Sequence, residues 1–177
     1  MPVKIRYLNP TTLAKPPGYS SIVEITGPGH VVHFAGQLGL DLDNKLVGAP
    51  GDFPAQCQRA FENLRCALEA VGAGFKDLVK INSYLVDIAS NIAHFRDIRD
   101  RCLNVAAAPA STTIGVPALA RPGALFEIEA IAVLPPKRGA AARRGASTAA
   151  KKNKKKRGRA AKAARRKGPR TVGRRFR

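Results

Sequence analysis

The apolar pattern of the chain begins with two short strand-like stretches. Residues 11–21 are irregular and interrupted by proline and glycine, whereas residues 22–25 and 30–40 are rich in Ile, Val, Phe and Leu. Alternating apolar residues are typical of half-buried strands, and the glycine and proline of residues 27–29 are turn formers. Together these segments predict a β-hairpin near the amino terminus.

The second of these stretches carries glycines in its later half. Gly36 and Gly39 have no side chain, so another backbone or a ligand can approach the strand closely at these positions. The acidic residues 41–45 follow and predict a turn that ends the strand. The glycines therefore mark a place where the strand can meet a partner.

A period of three to four residues replaces the alternation after residue 52. Asp52 and Pro54 are typical of a helix start, and Gly72 is typical of a helix end. The segment between them predicts an amphipathic helix. Its apolar positions are Cys57, Ala60, Phe61, Leu64, Leu68 and Val71.

Four further elements complete the predicted secondary structure. Residues 78–86 return to alternation and predict a strand, and Ser90 is a candidate cap for a second helix. Residues 111–116 and 125–134 predict the last two strands. The apolar stripe of the second helix consists of Ile92, Phe95, Ile98 and Cys102.

The predicted order β-β-α-β-α-β-β indicates a mixed α/β (α+β) fold with two helices on one face of a sheet. In the last strand, Phe126 and Ile128 point to one face, whereas Ile131 and Val133 point to the other. The face that the helices leave uncovered is therefore partly apolar. Such a face predicts packing against another subunit, and hence a homo-oligomer.

Charge divides the chain at Pro136. The net charge is +19, from 31 Lys and Arg against 12 Asp and Glu; 19 of the basic residues and none of the acidic ones lie in residues 137–177. Residues 1–136 are therefore neutral and of ordinary single-domain size. The tail has one Val and one Phe, too little apolar surface to offset an ordering cost of roughly 1–2 kcal/mol per residue. We expect one folded domain, residues 1–136, and a tail that is disordered in isolation.

The cysteines and the apolar runs bear on the compartment. Cys57, Cys66 and Cys102 are odd in number, lack metal-type spacing and fall in predicted helices, which is typical of reduced thiols in an intracellular protein. No apolar run approaches the roughly 20 residues that span a bilayer, and the amino terminus lacks a secretory signal. We expect a cytoplasmic protein without membrane contact; nucleoid or nuclear association is the alternative because of the tail.

His30 and His33 invite a metal interpretation. Side chains three residues apart on a strand point to opposite faces, so these two histidines are poor co-ligands. The chain also lacks the spaced motifs Cys-x-x-Cys, Gly-x-Ser-x-Gly and Gly-x-Gly-x-x-Gly. We expect no metal and no cofactor.

Five separated blocks of sequence stand out. They are Phe-Ala-Gly-Gln-Leu at residues 34–38, Gln-Cys-Gln-Arg-Ala-Phe-Glu-Asn-Leu at 56–64, Val-Lys-Ile-Asn-Ser-Tyr-Leu-Val-Asp at 79–87, Pro-Ala-Ser-Thr at 109–112 and Phe-Glu-Ile-Glu-Ala-Ile-Ala-Val at 126–133. In order and spacing they resemble the RidA/YjgF family of enamine and imine deaminases. The resemblance implies a chorismate-mutase-like trimer that binds a small molecule in clefts between subunits.

The resemblance also implies roles for individual residues. Tyr19 matches the tyrosine of the family's cleft, and Ala35, Gly36 and Gln37 match the strand segment that lines it. Glu127 matches the glutamate that positions the attacking water. The alternatives from the residues alone are a packing role for Tyr19 and, for Glu127, a carboxylate at a polar rim.

One family position differs in this chain. Deaminases of the family carry an arginine after Pro-Ala that grips the substrate carboxylate, and here that position is Ser111. A serine hydroxyl donates one hydrogen bond but does not neutralise a carboxylate. Arg121, in the loop before the last strand, is the nearest candidate in sequence to replace the arginine; its alternative is a solvated surface residue.

The tail resembles the Ala/Lys-rich tails of linker histones and some nucleoid proteins. Clustered Lys and Arg bind polyanions by releasing condensed counterions, and no aromatic residues interleave the charges, so we expect DNA or RNA binding without sequence preference. A solvated tail that aids solubility is the alternative. The residues expected to contact nucleic acid are Lys151, Lys152, Lys154, Lys155, Lys156, Arg157, Arg159, Arg165, Arg166 and Lys167.

Two hypotheses follow for the function. The first is a trimeric protein that binds and hydrolyses a small imine or enamine, with Glu127 as catalytic residue. The second is a non-catalytic ligand sensor or nucleic-acid-associated regulator, which Ser111 favours. A ribonuclease function gains no support, because no His pair or His/Lys constellation is apparent.

Overall fold

The computed structural model describes residues 2–136 of the 177-residue chain. Within this range the predicted order of elements is confirmed, with one additional strand at the start. The elements are β1 Lys4–Leu8, β2 Ile22–Thr26, β3 His30–Leu38, α1 Phe53–Ala70, β4 Leu78–Val86, α2 Ile88–Cys102, β5 Ala110–Val116 and β6 Phe126–Leu134. The fold class is therefore the mixed α+β one that the sequence predicts.

Four strands form one mixed sheet in the order β3-β6-β4-β5, with β4 and β5 parallel and the other pairs antiparallel. The predicted hairpin between β2 and β3 is wrong, because β2 pairs with β1 instead, from Lys4 opposite Thr26 to Leu8 opposite Ile22. The nine-residue β3 pairs with β6, which offers a longer apolar partner than β2. Residues 27–29 connect the two sheets.

Helix α1 begins and ends where its sequence predicts. Oδ1 of Asp52 accepts a hydrogen bond of 3.0 Å from the backbone N–H of Ala55, and Gly72 follows the helix with φ +77°. Helix α2 begins two residues before the predicted cap Ser90, with Asp87 in a left-handed conformation at its N-cap. The amide of Asn91 donates to the carbonyl of Val86 over 2.9 Å, which ties the helix start to the end of β4.

The hydrophobic core lies between the helices and one face of the sheet. Its centre is a group of phenylalanines from both helices and β6: the ring centroids of Phe61 and Phe126 are 5.9 Å apart, and those of Phe95 and Phe126 are 5.6 Å apart. Both helices contact the same β6 side chain, so they cover the same face. This confirms the predicted placement of the helices.

The opposite face of the sheet, called the open face here, is more polar than its sequence predicts. Val133 is buried, and the centre of the face carries a hydrogen-bonded group. Glu129 accepts bonds of 2.7 Å from the amide of Asn82 and 3.0 Å from the hydroxyl of Tyr84. Packing of this face against another subunit stays a prediction.

The predicted tail, including its ten nucleic-acid-binding candidates between Lys151 and Lys167, lies outside the described residues. Neither α1 nor α2 is long and apolar enough to cross a membrane.

Candidate functional site

Tyr19 and Ser111, 92 positions apart in sequence, line one pocket of about 230 Å³. The loop that carries Tyr19 turns at Gly18, which has φ +78°. It is joined to the start of β5 by a 3.2 Å hydrogen bond from the backbone N–H of Ser20 to the carbonyl of Pro109. We call this space the tyrosine pocket; its lining residues are Pro17, Tyr19, Ile92, Phe95, Arg96, Arg99, Ser111 and Thr113.

Two arginines from α2 also line the tyrosine pocket. Arg99 is only 5% exposed; its Nη2 donates to the carbonyl of Pro17 over 3.1 Å, and its Nε donates to Asp100 over 2.8 Å. Its guanidinium packs so closely against Gly18 that a side chain there would overlap it. Arg96 lies three positions earlier on the helix and is exposed.

These arginines are not among the site residues predicted from the sequence. A signal was present, because residues spaced by three and four share one helix face, and Arg96 and Arg99 follow Ile92 and Phe95 at that spacing. The helical period predicts the apolar stripe, but it does not connect the charged residues on the same face with Tyr19 or Ser111. That connection depends on how α2 packs against β5 and the Tyr19 loop.

The other predicted site residues form a second group, called the glutamate half-site, which consists of Ala35, Gly36, Gln37 and Glu127. The pairing of β3 with β6 shifts register between Phe34 and Gln37, around Gly36. The backbone of Gly36 lies against the carboxylate of Glu127, leaving no room for a Cβ atom. The Gln37 amide donates to the Ala35 carbonyl over 3.1 Å.

The two glutamates of β6 have different surroundings. Glu129 is bonded to Asn82 and Tyr84; the bond to Glu129, then burial and the nearby negative charges, raise the pKa of Tyr84 above its ordinary value. Glu127 has no side-chain hydrogen bond to another residue in the described part of the chain. The sequence alone left open which role Glu127 plays; in the described residues neither of its carboxylate oxygens has a side-chain hydrogen bond, whereas Oε1 of Glu129 accepts two.

The tyrosine pocket and the glutamate half-site lie on opposite faces of the sheet. Ser111 pairs with the buried Ile81, on the helix side, whereas Glu127 pairs with Tyr84 on the open face. Ser111 lies on the edge strand β5, whereas the glutamate half-site is formed by β6 and the other edge strand, β3. One chain therefore does not bring Ser111 and Glu127 to the same ligand.

Arg121 lies apart from the tyrosine pocket. Its Nη2 donates to the carbonyl of Asn44 over 2.9 Å, which holds the turn after β3. Oδ1 of Asp41 stabilises the same turn by accepting from the backbone N–H groups of Asp43 and Lys45. Within one chain, Arg121 does not take the place of an arginine at Ser111; Arg96 and Arg99 are the basic residues beside it.

Histidines, carboxylates and thiols form no metal-binding cluster in residues 2–136, and the thiols differ in exposure, since Cys57 is buried and Cys66 is exposed. No group of three His, Cys, Asp or Glu in this range is placed to hold a metal ion. Burial, together with nearby Cys102, raises the pKa of the Cys57 thiol, which keeps it protonated and poorly nucleophilic. The polar side chains of the tyrosine pocket and the glutamate half-site are a carboxylate, an amide, hydroxyls and guanidinium groups.

The family model described as Endoribonuclease L-PSP matches residues 12–134. Among curated relatives, protein DfrA of Myxococcus xanthus is 35% identical over 115 residues, which cover 65% of this chain and 84% of that protein. The 2-iminobutanoate/2-iminopropanoate deaminase of Dermatophagoides farinae is 33% identical over 119 residues, 66% of this chain and 85% of that protein.

Solved structures of the same family are also similar to this chain. The Rid-family protein YyfB of Yersinia pestis is 36% identical with a TM-score of 0.66, and the alignment covers 73% of this chain and 98% of that one. RidA of an Antarctic Psychrobacter is 29% identical with a TM-score of 0.54, over 68% and 97% of the two chains. The chain therefore belongs to the RidA/YjgF family, whose family model carries the description Endoribonuclease L-PSP.

Proposed function

We propose that the protein binds a small imine or enamine in a cleft between two of its subunits and hydrolyses it to a carbonyl compound and ammonia. The observation that carries this proposal is the separation of Ser111 and Glu127 on opposite faces of one sheet, on strands β5 and β6 with β4 between them. A second copy that docks its glutamate half-site against the tyrosine pocket would complete the cleft. A symmetric homotrimer supplies three such clefts.

The reaction needs little from the protein beyond position and charge. A water attacks the carbon of the C=N bond, and the resulting carbinolamine releases ammonia as the C–N bond breaks and the C=O bond forms. Glu127 orients the water, accepts its proton and returns it to the departing amine. Its carboxylate suits this role because no described side chain is hydrogen-bonded to it.

The relatives support an imine as substrate. The Dermatophagoides farinae protein is named as a deaminase of 2-iminobutanoate and 2-iminopropanoate, and it is 33% identical to this chain. These compounds are short 2-imino acids, which fit a pocket of about 230 Å³. The word endoribonuclease in the family description has no counterpart in the site, which contains no histidine.

Mixing two inactive variants tests the shared cleft. Glu127→Gln removes the base, and Ser111→Phe fills the tyrosine pocket beside Tyr19. If each cleft uses one half from each of two subunits, co-refolding equal amounts gives about a quarter of clefts with both halves intact, and imine hydrolysis returns to about that fraction of the native rate. No recovery above each variant refolded alone would contradict the proposal.

A non-catalytic sensor is the second candidate for the domain, and Ser111 favours it because the family arginine is absent. The two candidates differ in the rate of imine hydrolysis. The sensor is supported if the native protein, Ser111→Arg and Glu127→Ala all leave imine hydrolysis at its uncatalysed rate in solvent. A native rate equal to that of Ser111→Arg, and lost in Glu127→Ala, would support the enzyme.

The tail supports an additional role in binding DNA or RNA. Nineteen Lys and Arg and no Asp or Glu follow Pro136, so the tail carries the whole charge excess of the chain. In a trimer, three tails on one particle raise their effective concentration for a polyanion and strengthen weak contacts without adding specificity.

A further inference from the structure

We propose that Arg96 and Arg99 of α2 bind the carboxylate of the ligand, in place of the arginine that deaminases of the family carry at the position of Ser111. The ligand class is then a short carboxylate-bearing imine, such as a 2-imino acid, even though Ser111 itself cannot neutralise a carboxylate. This inference assigns the residues that bind the ligand carboxylate and rests on the proposed function for the chemistry, but carboxylate binding can be measured without catalysis.

The two arginines share one face of α2 with the apolar floor of the tyrosine pocket. Each residue of this face lies at the helical spacing of three or four positions from another, and all of them line the pocket together with Ser111. They are Ile92, Phe95, Arg96 and Arg99. The positive charge that the family resemblance expects on β5 is thus supplied from the helix that packs beside β5.

Arg99 is held in place before any ligand binds. Nε and Nη2 are bonded to Asp100 and Pro17, and the guanidinium lies over the Phe95 ring at 5.5 Å from the centroid. Among the described residues, Nη1 makes no further hydrogen bond and can donate to a ligand. A fixed guanidinium loses little conformational entropy when it binds, so its contribution to affinity is retained.

The charge of the tyrosine pocket favours an anion. Its charged residues are Arg96 and Arg99, and the only described acid within ion-pair distance of either is Asp100, bonded to Arg99. One positive charge therefore remains unbalanced. The hydroxyls of Tyr19, Ser111 and Thr113 can orient a carboxylate, while Pro17, Ile92 and Phe95 contact an alkyl chain.

The test measures binding of 2-oxobutanoate, the carbonyl analogue of a 2-imino acid, by calorimetry on the full-length protein, with 2-oxobutanamide as the uncharged probe. Because Arg96 is exposed, Arg96→Gln is expected to fold normally. Loss of a charge-assisted hydrogen bond should weaken 2-oxobutanoate binding about tenfold or more and leave 2-oxobutanamide binding unchanged.

Arg101→Gln, on the same helix but in a separate pocket with Glu62 and Cys102, is the matched control and should bind both probes like the native protein.

Arg96→Lys provides a second variant that keeps the charge but loses the planar fork, so its affinity should lie between those of the native protein and Arg96→Gln. Equal affinity of native protein and Arg96→Gln for 2-oxobutanoate would overturn the inference, as would failure of the native protein to prefer the carboxylate over the amide.

Kinetics separate this inference from the proposed function. If the native protein hydrolyses a 2-imino acid, Arg96→Gln should raise KM and leave kcat nearly unchanged. Hydrolysis with an unaltered KM would overturn the carboxylate assignment and leave the deaminase function standing. Arginine-dependent binding of 2-oxobutanoate without any hydrolysis would support the assignment and refute the deaminase function.

Discussion

The backbone of Gly36 on β3 lies directly against the carboxylate of Glu127 on β6. A residue with a Cβ atom at position 36 would displace this carboxylate, whereas glycine lets it rest over the strand. The missing side chain therefore sets the position of the candidate catalytic group. This explains in physical terms why a glycine occurs in the middle of a strand.

Gly36→Ala should lower the rate of imine hydrolysis by at least about tenfold, because a general base must lie within hydrogen-bond reach of the water it activates. Steady-state kinetics with a 2-imino acid generated in solution measures this rate. Gly74→Ala is the matched control, since a Cβ atom at Gly74 meets nothing within 4 Å and its φ of −144° is an ordinary one. A native rate in Gly36→Ala would show that the position of Glu127 is not critical.

Glu127→Gln and Glu129→Gln should separate catalysis from stability. Glu127→Gln should lower the rate about 100-fold or more with little change in the free energy of unfolding. Glu129→Gln should retain most of the rate but lower the free energy of unfolding by about 1–3 kcal/mol, because Asn82 and Tyr84 lose a charged acceptor. Urea denaturation and steady-state rates measure the two effects, and the reverse pattern would make Glu129 the functional carboxylate.

Tyr84 should titrate above its ordinary pKa of about 10, because its hydroxyl donates to Glu129 and ionisation would place two negative charges together. Since the folded-state pKa is raised, the stabilisation from this group is complete below about pH 10 and is lost as the pH rises through the folded-state pKa. Absorbance at the tyrosinate band follows the ionisation.

Tyr84→Phe should lower the amplitude of the late absorbance step by the share of one tyrosine and reduce the loss of stability above about pH 10. Tyr7→Phe is a suitable control: burial, and then Asp77, raise the pKa of Tyr7 as well, but it lies on β1 and has no bond to Glu129. An unchanged late step in Tyr84→Phe would contradict the assignment.

Removal of residues 137–177 should abolish DNA binding at moderate salt and leave the ligand affinity of the domain unchanged. For the full-length protein, the logarithm of the DNA affinity should fall linearly with that of the salt concentration, at roughly −0.9 per phosphate contact. Fluorescence anisotropy with two unrelated duplexes measures affinity and specificity together. Equal DNA binding by a chain that ends at Pro136 would refute a role for the tail.

Much of this protein is determined by its sequence at short range. The bounds of α1 and β4 follow from periodicity and from local cap and turn residues, because neighbouring side chains on one helix or strand must share a face. The segregation of charge at Pro136 needs no structure at all. The close approach of another group at Gly36 was likewise indicated by the residue itself.

The tertiary structure alone decided which distant residues meet. In the folded chain, β2 pairs with β1 rather than with β3. Ser111 and Glu127 lie on opposite faces of the sheet, and Arg96 and Arg99 lie beside Tyr19. Strand partners and helix docking are selected by hydrogen bonds and buried area summed over the whole fold, and no local pattern contains that sum. The sequence therefore contains the two arginines that supply a positive charge beside Ser111. Their position in the tyrosine pocket is known only from the tertiary structure.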